Sequence, residues 1–270
     1  MISQDYANLK WLINSGADEA IADEPANRFV QSAKEQAKKI EKANPIAKPV
    51  EKTVQSNNQA PKTERPKSNI TGNQDAIKNA TNLANNSTSI ADIEKNIAGF
   101  NDCSLKTTAK NTVYYKGDHN PDILCIGIAP NKNDDASGIA FSGDVETLTN
   151  RMFKAIDLDT SKIAYTNSMF WYPPGDRSIT NAEFQITLPL LLKTIELAKP
   201  KIVIVFGTEL TKLLFNQSFP QLRGKITSIK HNDKENNFFV LHSPKQMIKV
   251  PAYKKQVWAD LQKLKKYLND

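Results

Sequence analysis

Four short apolar runs, each followed by a segment with helical periodicity, most strongly limit the fold of this chain. The predicted strands cover residues 122–128, 162–167, 201–206 and 237–242. The predicted helices cover residues 144–156, 181–198, 207–216 and 252–268. The run between Lys201 and Gly207 is continuously apolar and rich in β-branched residues, as expected for a strand covered on both faces. This alternation predicts a three-layer α/β/α sandwich with a central, mainly parallel four-stranded sheet.

The first third of the chain differs from the rest in composition. Residues 1–26 predict an amphipathic helical leader, and residues 27–88 predict a disordered basic linker that nearly lacks large apolar side chains. Such a segment cannot bury enough surface to offset the entropy lost on ordering. Residues 31–70 carry nine Lys and Arg against four Glu, which suits either a solubilising spacer or a weak tether to nucleic acid. A helix over residues 89–99, with Ser89 as its N-cap, begins a predicted folded domain at residues 89–270.

Charge and cysteine content narrow the partners and the compartment. The net charge of +7 favours a polyanionic partner, although it also serves solubility. Cys103 and Cys125 are the two cysteines of the chain, too few for an extracellular disulfide framework. The sequence predicts no signal peptide and no membrane-spanning run. We therefore expect a cytoplasmic protein without membrane contact.

Side chains able to bind or react follow three of the predicted strands. Asp134, Asp135 and Phe141 follow the first strand. Asn167 ends the second and His242 ends the fourth. The carboxyl ends of parallel strands meet at one edge of a sheet, where open α/β sheets bind ligands. An acid, a ring, an amide and an imidazole at that edge predict a pocket for a flat heterocycle.

Each of these side chains also has an ordinary structural interpretation. Adjacent loop acids such as Asp134 and Asp135 are often solvated or cap a helix. Phe141 and His242 would fit a packed core, and Asn167 could cap a loop. The sequence shows no Cys and His spacing typical of a zinc site, so it predicts no metal site. It also shows no glycine-rich phosphate-binding loop and no Ser-His-Asp order.

Four motifs appear in order between residues 89 and 270. The first reads Gly127-Ile-Ala-Pro-Asn131, then Asp134-Asp135, then Gly138-Ile-Ala-Phe-Ser-Gly143. The others are Thr166-Asn-Ser-Met-Phe-Trp-Tyr-Pro-Pro-Gly-Asp-Arg177, the apolar run from Pro200 to Gly207, and His242-Ser-Pro244. In this order they make the segment resemble the family 4 uracil-DNA glycosylases. The stretch from Trp11 to Pro25 also resembles the leader of a bacterial branch of that family that has a long linker.

The resemblance implies hydrolysis of the N-glycosidic bond of uracil in DNA, at the start of base-excision repair. Phe141 would stack on a flipped base, and Asn167 would read its edge, with Ala129 also contacting the substrate. Asp134 would position or deprotonate the attacking water, with Asp135 in support, and His242 would donate to uracil O2. The partner is then uracil-containing DNA, bound by a monomer associated with the bacterial nucleoid.

The segment from Pro244 to Pro251 is predicted to contact DNA as a wedge loop. Met247 would fill the gap left by the flipped base, with Ile248 beside it. Lys245, Lys249 and Arg177 would hold phosphates. The alternative is a plain loop whose Met and Ile belong to the core.

Departures from the family pattern bear on the cofactor and on the rate. Many family 4 enzymes hold a [4Fe–4S] cluster on four cysteines, and the matching positions here are Phe100, Cys103, Trp171 and Thr187. A cluster needs its thiolates, so we expect no cluster and apolar packing in its place. Ile128 stands where the family has Glu, Asn131 where it has Gly, and Asp176 where Asn is common. A non-catalytic DNA-binding relative, or a glycosylase for another deaminated base such as hypoxanthine, therefore remains open.

Overall fold

The computed structural model describes residues 70–231 and 234–269, so the predicted leader and most of the predicted linker lie outside the described residues. The strands are β1 (Tyr115–Gly117), β2 (Ile123–Gly127), β3 (Ile163–Asn167), β4 (Ile202–Phe206), β5 (Ile226–His231) and β6 (Lys234–Leu241). The helices are α1 (Ile70–Asn86), α2 (Ile90–Gly99), α3 (Lys132–Ser137), α4 (Asp144–Lys154), α5 (Asn181–Ala198), α6 (Thr208–Phe215), α7 (Phe219–Leu222), α8 (Pro244–Lys249) and α9 (Tyr253–Asn269). Short 3-10 turns cover Ser104–Thr107, Thr160–Lys162 and Pro174–Asp176.

The central sheet contains six strands in the order β1-β3-β2-β4-β6-β5. The four predicted strands are confirmed as its parallel interior, with β2 paired to β3 and β4, and β4 paired to β6. Two edge strands, β1 and β5, were not predicted; they pair antiparallel to β3 and β6. β1 has only three residues, and β5 reads Ile-Thr-Ser-Ile-Lys-His, so neither forms an apolar run.

Each face of the sheet carries its own apolar core, which gives three layers. Leu124 and Ile126 of β2 pack on one side, in a core to which α1, α2 and α5 contribute. Ile123 and Cys125 alternate to the other side, in a core to which α4, α8 and α9 contribute. The α/β/α sandwich predicted from the alternation of strands and helices is therefore confirmed. Within the described part of the chain, no helix has both the length and the apolar content needed to cross a membrane.

Helix α1 corrects the predicted boundary of the linker. Residues 70–86 are helical, and Ala76, Ala80 and Ala84 are buried where α1 packs on α5. The three alanines recur every four residues, so they lie on one helix face, and their small side chains allow close packing. The shortage of large apolar residues suggested a linker, yet this helix needs only a small-residue stripe. The folded domain thus begins by Ile70 rather than at residue 89.

The predicted start of α2 is confirmed by its capping geometry. The Ser89 side chain accepts from the backbone N–H of Asp92, and the Asp92 carboxylate accepts from the backbone N–H of Ser89. This reciprocal capping box satisfies two donors at the helix end. Ile90, Ile93 and Ile97 then form the buried face of α2, as their spacing predicted.

Candidate active site

The order of the parallel strands creates a crevice between β2 and β4. The chain passes from β2 to β3 on one side of the sheet and later returns to β4 on the other side of β2. Such a reversal separates the loops that leave the two adjacent strands, and ligands of open α/β sheets bind there, at the carboxyl ends. In the register of this pair, Ile126 lies beside Val205, so the loops after Gly127 and Phe206 leave the sheet side by side.

A cavity of about 240 Å³ opens at this position. Its walls come from the ends of β2, β3 and β4 and from the start of α8. Ligand pockets commonly measure about 300–1,000 Å³, so this cavity suits one heterocyclic ring better than a whole nucleotide. The residues with predicted roles that line it are Ala129, Asp134, Phe141, Asn167, Arg177, Lys245 and Lys249.

Phe141 forms part of the cavity wall in a strained backbone conformation. Its φ of 55° lies in the left-handed region, which costs a bulky residue about 1–3 kcal/mol. The ring packs against Tyr165 and Phe206, with centroids 5.2 and 5.9 Å away, and is 5% exposed. Such strain persists only where the surroundings enforce it, which here points to a functional position for the ring.

Asp134 enforces that conformation through both carboxylate oxygens. Its Oδ1 accepts from the backbone N–H and the hydroxyl of Ser142, at 2.7 and 2.6 Å. Its Oδ2 accepts from the backbone N–H of Asn131 at 2.9 Å, which completes a capping box at α3. Asp134 therefore ties the start of α3 to the residue that follows Phe141. Asp135 does not line the cavity and instead accepts from the backbone N–H groups of Lys110 and Asn111.

Asn167 and Phe141 meet over Gly127. A Cβ atom placed on Gly127 would lie 2.5 Å from Asn167 Oδ1 and 3.1 Å from the tip of the Phe141 ring. The absence of a side chain at Gly127 thus allows the amide and the ring to lie side by side. Asn167 is 2% exposed, and its Nδ2 is buried without a hydrogen-bond partner among the described residues. An unpaired buried donor costs about 1–3 kcal/mol, so such a donor is typical of a position where a ligand supplies the missing acceptor.

The structure does not bring the His242 ring into this cavity, which corrects the predicted shared pocket. The ring stacks on Tyr253 at 4.2 Å between centroids and lies 4.7 Å from Phe219. His242 Nε2 lies 3.0 Å from Gln256 Oε1 and 3.3 Å from Arg223 Nη1. Packing of α9 against the end of β6 determines this orientation. Ser243, the next residue, lines the cavity instead.

The environment of His242 predicts how stability depends on pH. Burial lowers the pKa of His242 below its ordinary value, and the Arg223 charge lowers it further, while the hydrogen bond with Gln256 and the charge of Asp260 act the other way. Between that lowered pKa and about 6.5 the unfolded chain binds more protons, so acidification destabilises the fold. We expect His242→Ala to reduce the loss of unfolding free energy between about pH 7 and pH 5.

Denaturant unfolding at several pH values would measure this slope. His119 lies in an exposed loop, so His119→Ala is the matched control and should leave the slope as in the wild type. An equal slope in His242→Ala and wild-type protein would contradict the interpretation of His242 as a buried neutral histidine.

The cationic side chains at the cavity differ in whether they are paired with a carboxylate. Arg177 forms two hydrogen bonds to Glu183, at 2.6 and 3.1 Å, and Lys245 pairs with Asp176 at 2.7 Å. Burial acts to raise the pKa of Glu183, but hydrogen bonds from Arg177 and Thr180 outweigh it and hold that pKa below its ordinary value. Lys249 is exposed and has no hydrogen bond or ion pair with any residue that the structure describes. It is the cation most available to a phosphate.

The predicted wedge loop is helix α8, and the prediction for Met247 is wrong. Met247 is fully buried in the core beneath the helix, because helical geometry turns it inward. Ile248 and Val250 are 44% and 43% exposed and form the apolar surface next to Lys249. Of the two residues proposed as a wedge, Ile248 is the one that faces outward.

The residues that follow β4 also belong to the cavity, although none of them was predicted. Gly207, Thr208, Glu209 and Leu210 all line the cavity, as does Gln246 from α8. Polar residues that follow a buried parallel strand are expected to face the crevice, and this rule selected Asp134 and Asn167. The same rule applies to Glu209. The signal was present in the sequence, directly after the most apolar strand of the chain.

Comparison with known proteins assigns the chain to a superfamily. Residues 114–262 match the model of the uracil DNA glycosylase superfamily. This region spans all six strands, contains every predicted site residue and covers more than half of the chain. The chain belongs to the uracil DNA glycosylase superfamily.

Relatives within this superfamily agree on one type. The chain is 27% identical over 184 residues to a protein named type-4 uracil-DNA glycosylase from Sulfurisphaera tokodaii, covering 66% of this chain and 84% of that protein. A protein of the same name from Archaeoglobus fulgidus is 23% identical over 182 residues, covering 65% and 92%. Another from Saccharolobus solfataricus is 28% identical over 174 residues, covering 62% and 81%. The resemblance stated from the motifs is confirmed.

The residues at the positions of the family's iron–sulfur ligands do not fit that cluster. The rings of Phe100 and Trp171 stack at 6.2 Å, and Thr187 donates to the carbonyl oxygen of Phe184 within α5. Cys103 is buried there, whereas Cys125 packs in the core on the opposite face of the sheet. Among the described residues, no three metal-binding side chains of His, Cys, Asp or Glu cluster together. A cluster that needs several thiolates cannot be held by Cys103 alone.

The structure explains why this chain can have asparagine at position 131, where the family has glycine. Asn131, at the position of a family glycine, is the N-cap of α3, and its Oδ1 accepts from the backbone N–H groups of Asn133 and Asp134. Asn131 therefore stabilises the helix that carries Asp134. Ile128 lines the cavity and provides no acid.

Proposed function

We propose that this protein hydrolyses the N-glycosidic bond of uracil in DNA, leaves an abasic site and so starts base-excision repair. The observation that carries the proposal is the buried, unpaired amide of Asn167 beside the Phe141 ring, in a cavity sized for one base. Membership of the superfamily and relatives named type-4 uracil-DNA glycosylase support the same activity.

The target base must leave the DNA stack to enter this cavity. Unpairing costs a few kcal/mol and costs least for a mispaired base, which favours uracil opposite guanine. The ring of Phe141 offers a stacking surface for the flipped base. Stacking attracts every base alike, so selection needs a hydrogen-bonding group beside the ring.

Asn167 is proposed to make that selection. Its amide can donate from Nδ2 to uracil O4 and accept at Oδ1 from N3–H. Cytosine presents an amine and a bare N3 at these places, so both halves of the amide would be mispaired. Each mispaired buried group costs about 1–3 kcal/mol. Ala129 lines the same cavity and would contact the substrate through its backbone or methyl group.

The proposed reaction creates opposite charges on the sugar and on uracil, and the site must stabilise both charges. Positive charge develops on the sugar and negative charge on uracil as the bond breaks. Asp134 lies at the cavity and would offset sugar charge or orient water with a remaining lone pair, while its three hydrogen bonds hold the Phe141 turn. The position of the His242 ring favours a supporting role beneath Ser243 over direct donation to O2.

Contacts to the DNA backbone are proposed for the surface around α8. Lys249 is free to bind a phosphate, and Lys245 and Arg177 add positive charge although each is ion-paired. Ile248 and Val250 provide exposed apolar surface beside Lys249 that could occupy the gap left by a flipped base. Phosphate contacts of this kind weaken as salt increases.

We further propose that the enzyme works without an iron–sulfur cluster, as a monomer associated with the bacterial nucleoid. The packing of Phe100 on Trp171 and the single thiol of Cys103 support the first point. Residues 1–26 are proposed as a separate leader, and the linker is proposed to end before α1 rather than at residue 88.

Incubation of the purified protein with uracil-containing oligonucleotides, single-stranded and duplex, tests the function. We expect free uracil and an alkali-labile abasic site, with release unchanged by an iron chelator. DNA binding without an abasic product would instead favour a non-catalytic relative. Release of hypoxanthine but not uracil would assign the cavity to another deaminated base.

A further inference from the structure

Glu209 is a carboxylate at the cavity that the predicted mechanism does not use. It lies in the first turn of α6, three residues after Phe206, whose ring contacts Phe141. Its side chain is half-buried and lines the cavity. Because β4 is the neighbour of β2 at the chain reversal, the segment that carries Glu209 leaves the sheet beside the loop that carries Asp134.

The three carboxylates that line this cavity in the described structure differ in their hydrogen bonds and ion pairs. Asp134 accepts three hydrogen bonds from Asn131 and Ser142, and Asp176 pairs with Lys245. Glu209 forms no hydrogen bond or ion pair with any residue within the described ranges. All lone pairs of its carboxylate are therefore open to a molecule in the cavity.

We infer that Glu209 activates the water that attacks the sugar, an inference that rests on the proposed glycosylase function. The position after Gly127 is Ile128, which cannot accept a proton, so the β2 side of the crevice lacks an acid there. In the step, the water oxygen bonds to C1′ while the C1′–N1 electron pair leaves with uracil. The water proton passes to Glu209, and the uracil anion later takes a proton from solvent. The carboxylate also opposes the positive charge on the sugar.

A purely structural role for Glu209 makes different predictions. An acid in the first turn of a helix stabilises that helix, and its loss would lower the melting temperature without changing how the reaction depends on pH. The other ionisable groups that face the cavity are Asp134, Asp176, Arg177, Lys245 and Lys249. A test must therefore separate Glu209 from these groups.

The experiment compares single-turnover uracil release by wild-type protein, Glu209→Gln and the exposed control Glu94→Gln. General-base help is worth about 10²–10⁴-fold, so we expect Glu209→Gln to lower the rate at least about 100-fold while DNA binding is retained. We expect Glu94→Gln, on the far helix α2, to match the wild type. The decline of the wild-type rate toward acidic pH should disappear in Glu209→Gln and persist in Asp134→Asn.

Two results would overturn the inference, and they are distinguishable from failure of the function itself. If wild-type protein releases uracil and Glu209→Gln releases it within about threefold of that rate, Glu209 is not the base. If the acidic decline survives in Glu209→Gln and is lost in Asp134→Asn, Asp134 holds that role. A wild-type protein that releases no uracil would overturn both proposals together.

Discussion

Asn167→Ala is expected to abolish most uracil release while leaving the fold intact. The substitution removes a buried amide whose Nδ2 has no partner in the described structure. Because an unpaired buried donor already costs about 1–3 kcal/mol, its removal should change the free energy of unfolding by less than about 1 kcal/mol. Removal of one donor aimed at developing charge commonly lowers the rate about 10²–10³-fold, and we expect an effect of that size. Single-turnover release and denaturant unfolding measure the two quantities.

The matched control is Asn120→Ala, at an exposed asparagine away from the cavity. It should retain wild-type release and stability. Wild-type release by Asn167→Ala would remove the amide from base recognition. A loss of several kcal/mol in stability would show that the amide has a structural partner after all.

Gly127→Ala should be nearly as damaging, through the addition of one methyl group. The new Cβ would lie 2.5 Å from Asn167 Oδ1, closer than real Cβ atoms approach, and 3.1 Å from the Phe141 ring, tighter than most Cβ contacts. The amide must then shift by a substantial fraction of an ångström, and the ring by a few tenths of an ångström. Misplacement of a binding group by about 1 Å can cost about 100-fold in rate, and overpacking costs about 1–3 kcal/mol in stability. Release kinetics and thermal unfolding of the variant test both effects.

Gly99→Ala provides the same chemical change where space is open. Apart from its chain neighbours and the backbone of its own helix, no atom lies within 4 Å of a Cβ at Gly99, the last residue of α2. Alanine in a helix is favoured over glycine by about 0.5–1 kcal/mol, so this variant should be as stable as the wild type or slightly more stable, and fully active. Equal activity in Gly127→Ala and Gly99→Ala would contradict the close packing at the base site.

Local patterns in the sequence were sufficient for most of the regular structure. The segment predicted as helix over residues 181–198 has those bounds in the structure, and Ser89 caps α2 as expected. Helix α1 was missed because its buried stripe is made of alanines, which contribute little to any measure of apolar content. The edge strands β1 and β5 were missed because each is defined by a partner strand rather than by its own residues.

For the candidate site, too, local sequence patterns predicted some residues correctly and could not predict others. The strand-end rule found Phe141 and Asn167, and both line the cavity. It could not distinguish the orientation of His242, whose ring is held by Tyr253 and Gln256 from a helix that follows in the chain. It also could not show that Met247 turns inward from α8.

The sequence alone determined the parallel strands, most of the helices and the chemistry that reaches the crevice, because these follow from short-range periodicity and strand order. Only the tertiary structure decided which carboxylates are already bound, which amide is left unpaired, and which ring faces the cavity. Those properties depend on neighbours distant in the chain, such as Gly127 beneath Asn167 and Lys245 beside Asp176. Contacts between distant residues arise from packing, and one sequence read locally does not contain them.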